Sequence, residues 1–447
     1  MTVRAIVLAA GKGTRMKSAR PKVLHELCGR PMLWYTINAL RAAGIDDIVI
    51  VTNDELDPHV GGYGARTVIQ HEQLGTGHAV RVALDALEPL AAGRVVIAYA
   101  DMPLVPEGIF CSILSALADE AGAAMALVTA SMPLPSNFGR VVRSGAHVRK
   151  IVEARDASAD ELAITEMNAG IYAFGETEVR EAVAALRSDN AQGEYYLTDV
   201  VEHFVQADRS VRSVHAGDHE HVLGVNDRVE LARARAAMNE RLCERYMRDG
   251  VTIIDPQTTY LEPELAIGRD TVIYPNTSIG RLSEIGERCS IGPNTRLSNA
   301  RLGDGVTIQE SVVIDSRIGN GTAIGPFAHV RGETELGREV RIGNFVEVKK
   351  SKLAAGVKAG HLSYLGDASI GEGSNIGAGT ITCNYDGSHK HDTTIGKGVF
   401  IGSNTSIVAP RNIGDGAMTG AGSVLTRDLP AGERVVGNPA KPLPKRG

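Results

Sequence analysis

A glycine-rich loop follows the first apolar run of the sequence. Gly11 and Gly13, with Arg15 two residues later, come directly after the run Ala5–Ala10. At the carboxyl end of a strand in an open α/β sheet, the backbone N–H groups of such a loop can bind phosphate oxygens. The loop is not a dinucleotide fingerprint, because Met16 replaces the third glycine, and it lacks the G-K-[ST] ending of a Walker loop. It predicts a phosphate site of another class.

Further polar and glycine residues follow other predicted strands. The carboxyl ends of parallel strands lie at one edge of a sheet, so these residues could surround a nucleotide held by the glycine loop. They are Pro21-Lys22, Gln70, Gln73, Gly75, Thr76, Gly77 and Tyr99-Ala100-Asp101. Together with these residues, the glycine loop indicates a binding site more strongly than it does alone.

Two polar segments interrupt a six-residue repeat in the second half of the sequence. One runs from Lys349 to Tyr364 and contains His361, and the other runs from Thr382 to His391. Insertions in a solenoid usually form loops on one face, often the binding face. Tolerated surface loops are the alternative. A histidine, with an unperturbed pKa of about 6.5, has the chemistry of a general base near neutral pH.

The elements that position the first set of residues alternate along the chain. From Arg4 to about Ala216, apolar runs such as 5–10, 47–51 and 94–99 alternate with helical stretches rich in Ala and Leu. This pattern predicts a Rossmann-like α/β domain with a buried, mainly parallel sheet covered by helices. We expect this domain to span residues 1–227.

A connecting helix is predicted at residues 228–249. Arg and Glu occur throughout, and apolar side chains recur at helical spacings, at Leu231, Met238, Leu242 and Tyr246. Asp227 and Glu230 offer an N-cap and its capping-box partner, and Gly250 ends the helix.

Beyond Gly250 aliphatic residues recur every six positions. One short strand per hexapeptide, turned at Gly or Asn, stacks these side chains inside a prism. The pattern predicts a left-handed parallel β-helix over residues 250–447. The repeated residues are Ile267, Ile273, Ile279, Ile285, Ile291 and Leu297; Ile324, Val330, Leu336, Ile342 and Val348; Ile370 and Ile376; and Ile395, Ile401, Ile407 and Ile413.

Composition excludes several functional classes. The net charge of -6 leaves no broad basic face for a nucleic acid, and no apolar stretch approaches membrane-spanning length. The five cysteines lack the close spacing of zinc or redox motifs, so we expect reduced thiols. These observations predict a soluble cytoplasmic protein that binds neither nucleic acid nor membrane.

The N-terminal motifs resemble those of sugar-nucleotide pyrophosphorylases, which open with G-x-G-T-R followed by P-K. In that reaction an oxygen of a sugar 1-phosphate attacks the α-phosphorus of a nucleoside triphosphate, and pyrophosphate leaves. Positioning and charge neutralisation carry such a step without a protein nucleophile. The resemblance implies that Arg15 and Lys22 supply positive charge and that Asp101 and Asn226 bind Mg²⁺.

The whole chain resembles the bifunctional N-acetylglucosamine-1-phosphate uridyltransferases and glucosamine-1-phosphate acetyltransferases. The resemblance is carried by LAAGKGTRM, PKVLHEL, EQLGTGHA, NAQGEYYLTDV, GNFVEVKKS, AGHLSYLGDA and NIGAGTITCNYDG. It implies a homotrimer that uses UTP and acetyl-coenzyme A to make UDP-N-acetylglucosamine, a precursor of peptidoglycan and other envelope polysaccharides. UDP-N-acetylglucosamine is then expected at Leu8, Ala9, Ala10, Gly11, Lys22, Gln70, Gly75, Thr76, Tyr99, Ala100, Asp101, Gly139, Glu153, Asn168 and Asn226.

The same resemblance implies an acetyl-transfer site in the second half. The amine of glucosamine 1-phosphate must lose a proton before it attacks a thioester, and His361 is the expected base. The sugar phosphate is expected at Arg331, Lys349, Tyr364 and Asn375, and Lys390, in the second interruption, is a weaker candidate for this acetyl-transfer site. Acetyl-coenzyme A is expected at Ala378, Asn384, Tyr385, Ser403, Ala421 and Asn438.

The sequence departs from the family pattern at three positions. Ala100 stands where Gly is usual, and Ala169 stands where Thr is common. Asn438 stands where related enzymes carry a coenzyme-binding Arg, which puts the coenzyme's phosphate contacts in doubt. Lys441, Lys445 or Arg446 could supply those contacts, and a basic solubilising tail is the alternative.

Two other functions remain open from the sequence alone. A single-activity pyrophosphorylase could use its β-helix only for assembly, and such a helix would need no base at position 361. A non-catalytic sensor of nucleotide sugars could dispense with Arg15, Lys22 and Asp101. His361, Asn375 and Asn384-Tyr385-Asp386 argue against the first alternative, and the presence of Arg15, Lys22 and Asp101 argues against the second.

Overall fold

The structure, a computed structural model, describes residues 2–90, 93–118 and 123–442. The contacts between Cα atoms divide the chain into two compact units, residues 1–238 and 239–447. This division falls inside the helix predicted as a connector. Within the described ranges, no helix is both long enough and apolar enough to cross a membrane. Lys445 and Arg446 lie outside the described residues.

The first unit contains a mixed sheet. Its strands are β1 (Val3–Leu8), β4 (Asp47–Thr52), β5 (Arg66–Ile69), β6 (Arg94–Tyr99), β7 (Ala123–Ser131), β8 (Arg140–Ser144), β9 (His147–Val152), β10 (Glu166–Gly175) and β11 (Ser210–His215); a separate hairpin is formed by β2 (Glu26–Leu27) and β3 (Arg30–Pro31). The strand order along the main sheet is β11-β7-β10-β6-β1-β4-β5. Strands β1, β4, β5 and β6 are parallel, whereas β10 runs antiparallel to both β6 and β7. The predicted mainly parallel sheet is therefore present, with the antiparallel strand β10 inside it and the antiparallel pair β8 and β9 attached to β10.

Helices cover both faces of this sheet. They are α1 (Met32–Ala42), α2 (Thr76–Asp85), α3 (Glu107–Ala118), α4 (Ala159–Leu162), α5 (Glu176–Ala184) and α6 (Val200–Gln206), with 3₁₀ turns at Thr14–Met16, Lys22–Leu24, Asp57–His59, Gly61–Tyr63, Leu197–Asp199 and His219–Val222. In β1, Ala5 and Val7 belong to one apolar cluster and Ile6 and Leu8 to another. Alternate side chains of a strand point to opposite faces, so both faces of the sheet are buried.

The predicted charged helix is α7 (Arg228–Arg248). The Asp227 carboxylate accepts hydrogen bonds from the N–H groups of Val229 and Glu230, which confirms the predicted N-cap. Glu230 does not complete a capping box on Asp227, because its carboxylate accepts instead from the Asn226 N–H at 2.6 Å. Gly250, at φ 94°, ends the helix as predicted.

The second unit confirms the hexapeptide β-helix. Three short strands form each coil, and each strand pairs in parallel with its counterpart one coil later, as in the pairs Ile273–Ile291, Ile279–Leu297 and Ile285–Leu302. The predicted aliphatic ladder from Ile273 to Ile413 is buried, and only Ile267, on an early coil, is partly exposed.

One face of the prism is a parallel sheet that the chain enters once per coil. It contains β12 (Thr252–Ile253), β15 (Val272–Ile273), β18 (Ser290–Ile291), β20 (Thr307–Ile308), β22 (Ala323–Ile324), β25 (Arg341–Asn344), β28 (Lys358–His361), β31 (Asn375–Ile376), β34 (Phe400–Ile401), β37 (Met418–Thr419) and β39 (Arg434–Val436), closed by antiparallel β40 (Lys441–Pro442).

The other two faces are continuous with each other. Their strands are β13 (Tyr260–Leu261), β14 (Ala266–Ile267), β16 (Ser278–Ile279), β17 (Glu284–Ile285), β19 (Arg296–Leu302), β21 (Val312–Ile318), β23 (His329–Arg331), β24 (Thr334–Leu336), β26 (Glu347–Lys349), β27 (Lys352–Leu353), β29 (Tyr364–Gly366), β30 (Ala368–Ile370), β32 (Ile381–Cys383), β33 (Thr393–Ile395), β35 (Ser406–Val408), β36 (Arg411–Ile413) and β38 (Val424–Leu425).

Candidate active sites

A cavity of about 360 Å³ lies at the carboxyl ends of β1, β5 and β6 in the first unit. The predicted nucleotide residues in its wall are Leu8, Ala9, Ala10, Gly11, Lys22, Gln70, Gly75, Thr76, Tyr99 and Asp101, and Lys12, Val23, Gln73, Ala79 and Glu194 also line it. The structure thus brings together residues that lie far apart in the sequence.

Local backbone geometry shapes this cavity. Leu8 and Tyr99 end neighbouring strands in register, and the Ala100 N–H donates to the Leu8 carbonyl oxygen at 3.0 Å, so Ala100 supports the wall from behind. Gly75 has φ 111°, and a Cβ there would lie 2.6 Å from the Tyr195 carbonyl oxygen. Helix α2 begins at the next residue, Thr76, which lies in the cavity wall, and the Gly77 N–H of its first turn donates to the Tyr195 carbonyl oxygen at 2.8 Å.

Lys22 joins the glycine loop to the predicted magnesium ligands. Gly13 has φ 58°, and a Cβ on it would lie 2.6 Å from the Lys22 Cβ, so only glycine lets the loop approach this closely. The Lys22 ammonium forms an ion pair with Asp101 and donates to Asn226 Oδ1 at 3.2 Å. Glu230, through the Asn226 N–H, fixes the backbone of that asparagine.

The donor set at this point fits a hard cation. A carboxylate and an amide oxygen are ligands that Mg²⁺ accepts, and it usually takes its remaining ligands from phosphate and water. No group of three His, Cys, Asp or Glu side chains suited to a metal occurs among the described residues. Asp101 and Asn226 would therefore hold Mg²⁺ only together with a bound phosphate.

The residues predicted for the acetamido sugar form a second group beside the cavity. The Asn168 N–H donates to the Gly139 carbonyl oxygen at 2.8 Å. Glu153 accepts from the Thr198 hydroxyl at 3.2 Å, and burial raises the pKa of its carboxyl group. Burial, followed by the nearby Glu153 charge, raises the pKa of Tyr99, so that hydroxyl stays neutral. The group offers both donors and acceptors to a neutral sugar.

Arg15 is the predicted catalytic residue that the structure leaves apart from the cavity. It lies exposed on the 3₁₀ turn Thr14–Met16 and does not contribute to the cavity wall. A residue that the sequence reasoning missed is Arg140, which is buried and donates to the carbonyl oxygens of Ser136 and Phe138. The sequence feature that could have indicated Arg140 is its position directly after Gly139, which was predicted to bind the sugar.

In the second unit, predicted phosphate-binding residues form a ladder across successive coils. Arg331 pairs with Lys349, and Lys349 pairs with Gly366 one coil later. Both Arg331 Nε and Nη2 donate to Glu347 Oε1, at 2.9 and 2.6 Å, so this carboxylate orients the guanidinium. Glu347 was not predicted, although its position two residues before Lys349 puts both side chains on one face of a strand.

Lys390 adds a third cation to this ladder. The neighbouring Lys390 ammonium lowers the pKa of Lys349, and Arg331 adds to the effect. Lys390 belongs to the second interruption, where its backbone forms an antiparallel β-bridge with that of Tyr385. Hydrogen bonds from the His389 N–H, the His391 ring and the Ser388 N–H lower the pKa of Asp386. The interruption is therefore a hydrogen-bonded loop that presents Lys390 beside Lys349.

Tyr364 and Asn384 enclose the space beyond Lys349. A Cβ on Gly366 would lie 2.4 Å from the Tyr364 hydroxyl and 2.8 Å from Asn384 Nδ2, so glycine gives both side chains their room. The buried Asn384 amide donates to Asp367 Oδ2 at 2.5 Å. Tyr364, predicted for the sugar phosphate, and Asn384, predicted for the coenzyme, are thus neighbours, whereas the Tyr385 ring is exposed.

His361 lies at a different edge of the prism. It ends β28, and Tyr364 begins the next strand, so His361 stands at the corner between two faces. Hydrogen bonds from Gly379, Asn404 and Gly422 align three predicted coenzyme residues on this edge, which we call the His361 corner: Ala378, Ser403 and Ala421. Asn375 lies on the preceding face, in β31, and the exposed Asn438 lies near the last coil.

Comparisons with known proteins agree with both halves. A profile described as MobA-like NTP transferase domain matches residues 5–214. A profile for the GMPPB C-terminal domain matches residues 257–345, and one for the bacterial transferase hexapeptide (six repeats) matches residues 392–427. The first match covers the unit with the cavity, and the other two lie in the β-helix.

Full-length relatives extend this similarity over both units. The chain is 46% identical to the Bifunctional protein GlmU of Heliobacterium modesticaldum, over 97% of this chain and 94% of the relative. It is 49% identical to the protein of the same name from Pelotomaculum thermopropionicum, over 92% and 90% of the two chains. For the one from Streptomyces avermitilis the identity is 42%, over 96% and 91%. The bifunctional interpretation is therefore favoured over a pyrophosphorylase with an inert β-helix, and the chain belongs to the GlmU family of bifunctional enzymes.

Proposed function

We propose that this enzyme makes UDP-N-acetylglucosamine by two transfers at two separate sites. Glucosamine 1-phosphate first receives an acetyl group from acetyl-coenzyme A, and the product then receives a uridyl group from UTP. One observation carries the proposal: the chain holds a nucleotide-sized cavity with Lys22 and Asp101 in one unit and a cationic ladder of Arg331, Lys349 and Lys390 in the other. Each site offers cations to a phosphate.

For uridyl transfer, the cavity positions the reacting phosphates. An oxygen of N-acetylglucosamine 1-phosphate attacks the α-phosphorus of UTP, and the bond to pyrophosphate breaks. Lys22 and the backbone N–H groups of the glycine loop stabilise charge on the phosphate oxygens, with Arg15 as an outer cation. Mg²⁺ held by Asp101 and Asn226 supplies further charge neutralisation when bound. Gly139, Glu153 and Asn168 orient the acetamido group.

For acetyl transfer, His361 takes the proton of the sugar amine. The amine nitrogen attacks the thioester carbonyl carbon, the carbon–sulfur bond breaks, and coenzyme A leaves as its thiol after receiving a proton. Arg331, Lys349 and Lys390 hold the phosphate dianion, and Tyr364 and Asn375 complete the sugar site. Ala378, Ser403 and Ala421, with small side chains on one edge, leave room for the coenzyme beside Asn384 and Tyr385. Asn438 is its outermost contact.

The acetyl site is shared between subunits of a homotrimer. In one chain His361 stands at one corner and Lys349 near the next, roughly 10 Å apart for a strand of three residues at about 3.3 Å each. The coenzyme residues are divided in the same way, between the His361 corner and the Asn384 loop. A neighbouring prism could bring the two sets together. Mixed oligomers of His361→Ala and Lys349→Ala chains should then recover acetyl transfer that neither variant has alone.

We also propose domain boundaries and a cytoplasmic location for this enzyme. We assign uridyl transfer to residues 1–227, the linking helix to 228–249 and acetyl transfer to 250–447. Cys111, Cys243, Cys289 and Cys383 are free thiols, a state typical of a reducing cytoplasm. The substrates are small and need neither a nucleic acid nor a membrane.

One incubation tests the proposed function. The purified chain is mixed with glucosamine 1-phosphate, acetyl-coenzyme A, UTP and Mg²⁺, and the products are identified by mass spectrometry. UDP-N-acetylglucosamine, pyrophosphate and free coenzyme A should appear together. Parallel reactions omit each substrate in turn. Formation of UDP-N-acetylglucosamine only from supplied N-acetylglucosamine 1-phosphate, with no coenzyme A released, would restore the single-activity alternative.

A further inference from the structure

The Lys22 ammonium lies on the two oxygen donors proposed for magnesium. It pairs with the Asp101 carboxylate and donates to Asn226 Oδ1 at 3.2 Å, although these partners are 79 and 204 residues away in the sequence. All three side chains are partly buried, and those of Lys22 and Asp101 line the cavity. One protein cation therefore holds together the ligands that a metal ion would need.

An ammonium and a magnesium ion bound to the same two side chains lie close enough to repel each other. Mg²⁺ binds oxygen at about 2.0–2.1 Å and needs a lone pair directed at the metal. If Lys22 kept its present bonds, two cations would stand against the same carboxylate in a partly buried site, where repulsion is weakly screened. The Lys22 side chain also lines the cavity, so phosphate oxygens of a nucleotide could accept the displaced ammonium.

We propose that Lys22 competes with the metal for Asp101 and Asn226, and that the triphosphate removes this competition by binding the ammonium itself. The inference rests on the magnesium site of the proposed function. Its consequence is that metal and nucleotide bind cooperatively. A divalent ion alone meets an occupied pair of ligands, whereas a metal–nucleotide complex brings a new partner for Lys22. Loading the site with metal in the absence of substrate is thereby suppressed.

The test measures metal binding without catalysis. Mn²⁺ alone is titrated into the full chain, and free Mn²⁺ is followed by electron paramagnetic resonance. Lys22→Met should bind Mn²⁺ at least about tenfold more tightly than the natural chain, because a competing charge beside the carboxylate is gone. Lys12→Met is the matched control: Lys12 lines the same cavity and carries the same charge, but its exposed position predicts a change of no more than about twofold.

A double variant separates this inference from the metal site on which it rests. Lys22→Met/Asp101→Asn should lose the gained affinity. If Lys22→Met binds Mn²⁺ more tightly but Asp101→Asn does not remove the gain, the proposed magnesium site is wrong. If Lys22→Met binds no more tightly than Lys12→Met, the competition is wrong, and the magnesium site is then judged by its own variant.

A second measurement uses the natural chain, so the inference stays testable if Lys22→Met and Lys22→Gln both fail to fold. Lysine-selective labelling is read by peptide mass spectrometry with and without saturating Mn²⁺. Mn²⁺ should raise the labelling of Lys22 several-fold, because a displaced ammonium loses its carboxylate partner, and should leave Lys12 unchanged. Equal labelling of Lys22 in both conditions would overturn the proposal.

Discussion

The two candidate sites are assembled in opposite ways. In the α/β unit, Lys22, Asp101 and Asn226 come from distant parts of the sequence and meet because the segments that carry them converge, with the Val225 N–H donating to the Asp101 carbonyl oxygen at 2.9 Å. In the β-helix, Arg331 and Lys349 meet because they are one coil apart in register. The first site depends on the topology of a whole domain, whereas the second depends on a local repeat.

Their charges differ as well. At the first site a cation is already paired with a carboxylate, so a ligand must exchange partners to bind. At the second site Arg331, Lys349 and Lys390 are close to one another, and Lys390 lowers the pKa of Lys349. A phosphate dianion relieves that repulsion as it binds. The contrast predicts that damage to one site leaves the other unaffected.

The largest effect is expected from Asp101→Ala. It removes the carboxylate proposed for the metal, so uridyl transfer should fall by about 10³ or more, because charge on the phosphates is no longer neutralised. Acetyl transfer should continue at its natural rate. The measurement is each half-reaction with its own purified substrate across a magnesium titration.

Asp54→Ala is the matched control for this variant. Asp54 is an exposed carboxylate of the same unit whose partner is His71. It should not alter uridyl transfer. Near-normal uridyl transfer by Asp101→Ala would remove Asp101 from the metal site.

The next largest effect is expected from His361→Ala. Loss of a general base typically costs about 10² to 10⁴ in rate, or roughly 3 to 5.5 kcal/mol of barrier, and this cost should fall on acetyl transfer alone. His329→Ala is a useful comparison, because burial lowers the pKa of His329 and it lies beside Arg331. The fall in the rate of acetyl transfer should be smaller for His329→Ala than for His361→Ala. Equal loss of both transfers in His361→Ala would contradict two independent sites.

A smaller effect is expected from Arg15→Ala. Arg15 is exposed and outside the cavity wall, so it should contribute less than a buried donor, whose removal costs about 10² to 10³. We expect uridyl transfer to be about tenfold slower, because the departing pyrophosphate loses a stabilising cation, and we expect acetyl transfer to be unchanged. Raising the salt concentration should narrow the difference between variant and natural chain. A loss as large as that of Asp101→Ala would mean that the loop closes over the nucleotide.

The repeated region could be predicted almost residue by residue. A period of six with Ile or Leu at the inward position fixes which side chains are buried, and Ile273, Ile291 and Ile401 are fully buried. The N-cap at Asp227 followed from its residue type alone. Such features depend on neighbours in sequence, which a pattern can reveal.

The features that escaped prediction depend on contacts between distant segments. Nothing near Lys22 in the sequence indicates that its ammonium bonds to Asn226, and Glu230 was assigned to Asp227 rather than to Asn226. Lys390 was predicted to have a minor role, and only the folding of its loop brings it beside Lys349. Residue types thus indicated the chemistry, whereas tertiary structure decided which partners meet.

The smallest expected effect is on stability, and its dependence on pH should differ between the two units. Burial raises the pKa of Glu153 above its ordinary value of 4.5, so its charged form is disfavoured in the folded state. The folded chain therefore loses stability as the pH rises from that value through the raised pKa. Glu153→Gln keeps the shape, and its amide oxygen can still accept from Thr198. The melting temperature of the variant should exceed that of the natural chain at pH 7.5, and the gain should vanish below pH 4.5.

Asp386→Asn should behave in the opposite way. The hydrogen bonds from His389, His391 and Ser388 lower the pKa of Asp386, so its charge stabilises the loop above the ordinary value of 3.8 and that stability is lost as the pH falls. The asparagine variant should therefore be less stable than the natural chain at neutral pH, and the deficit should shrink in acid. Hydrogen exchange of each unit, followed from pH 2 to pH 8, measures both variants. If the stability of Glu153→Gln and that of the natural chain change with pH in the same way, burial does not raise the pKa of Glu153. The buried Glu153 carboxyl group then costs the folded chain no stability.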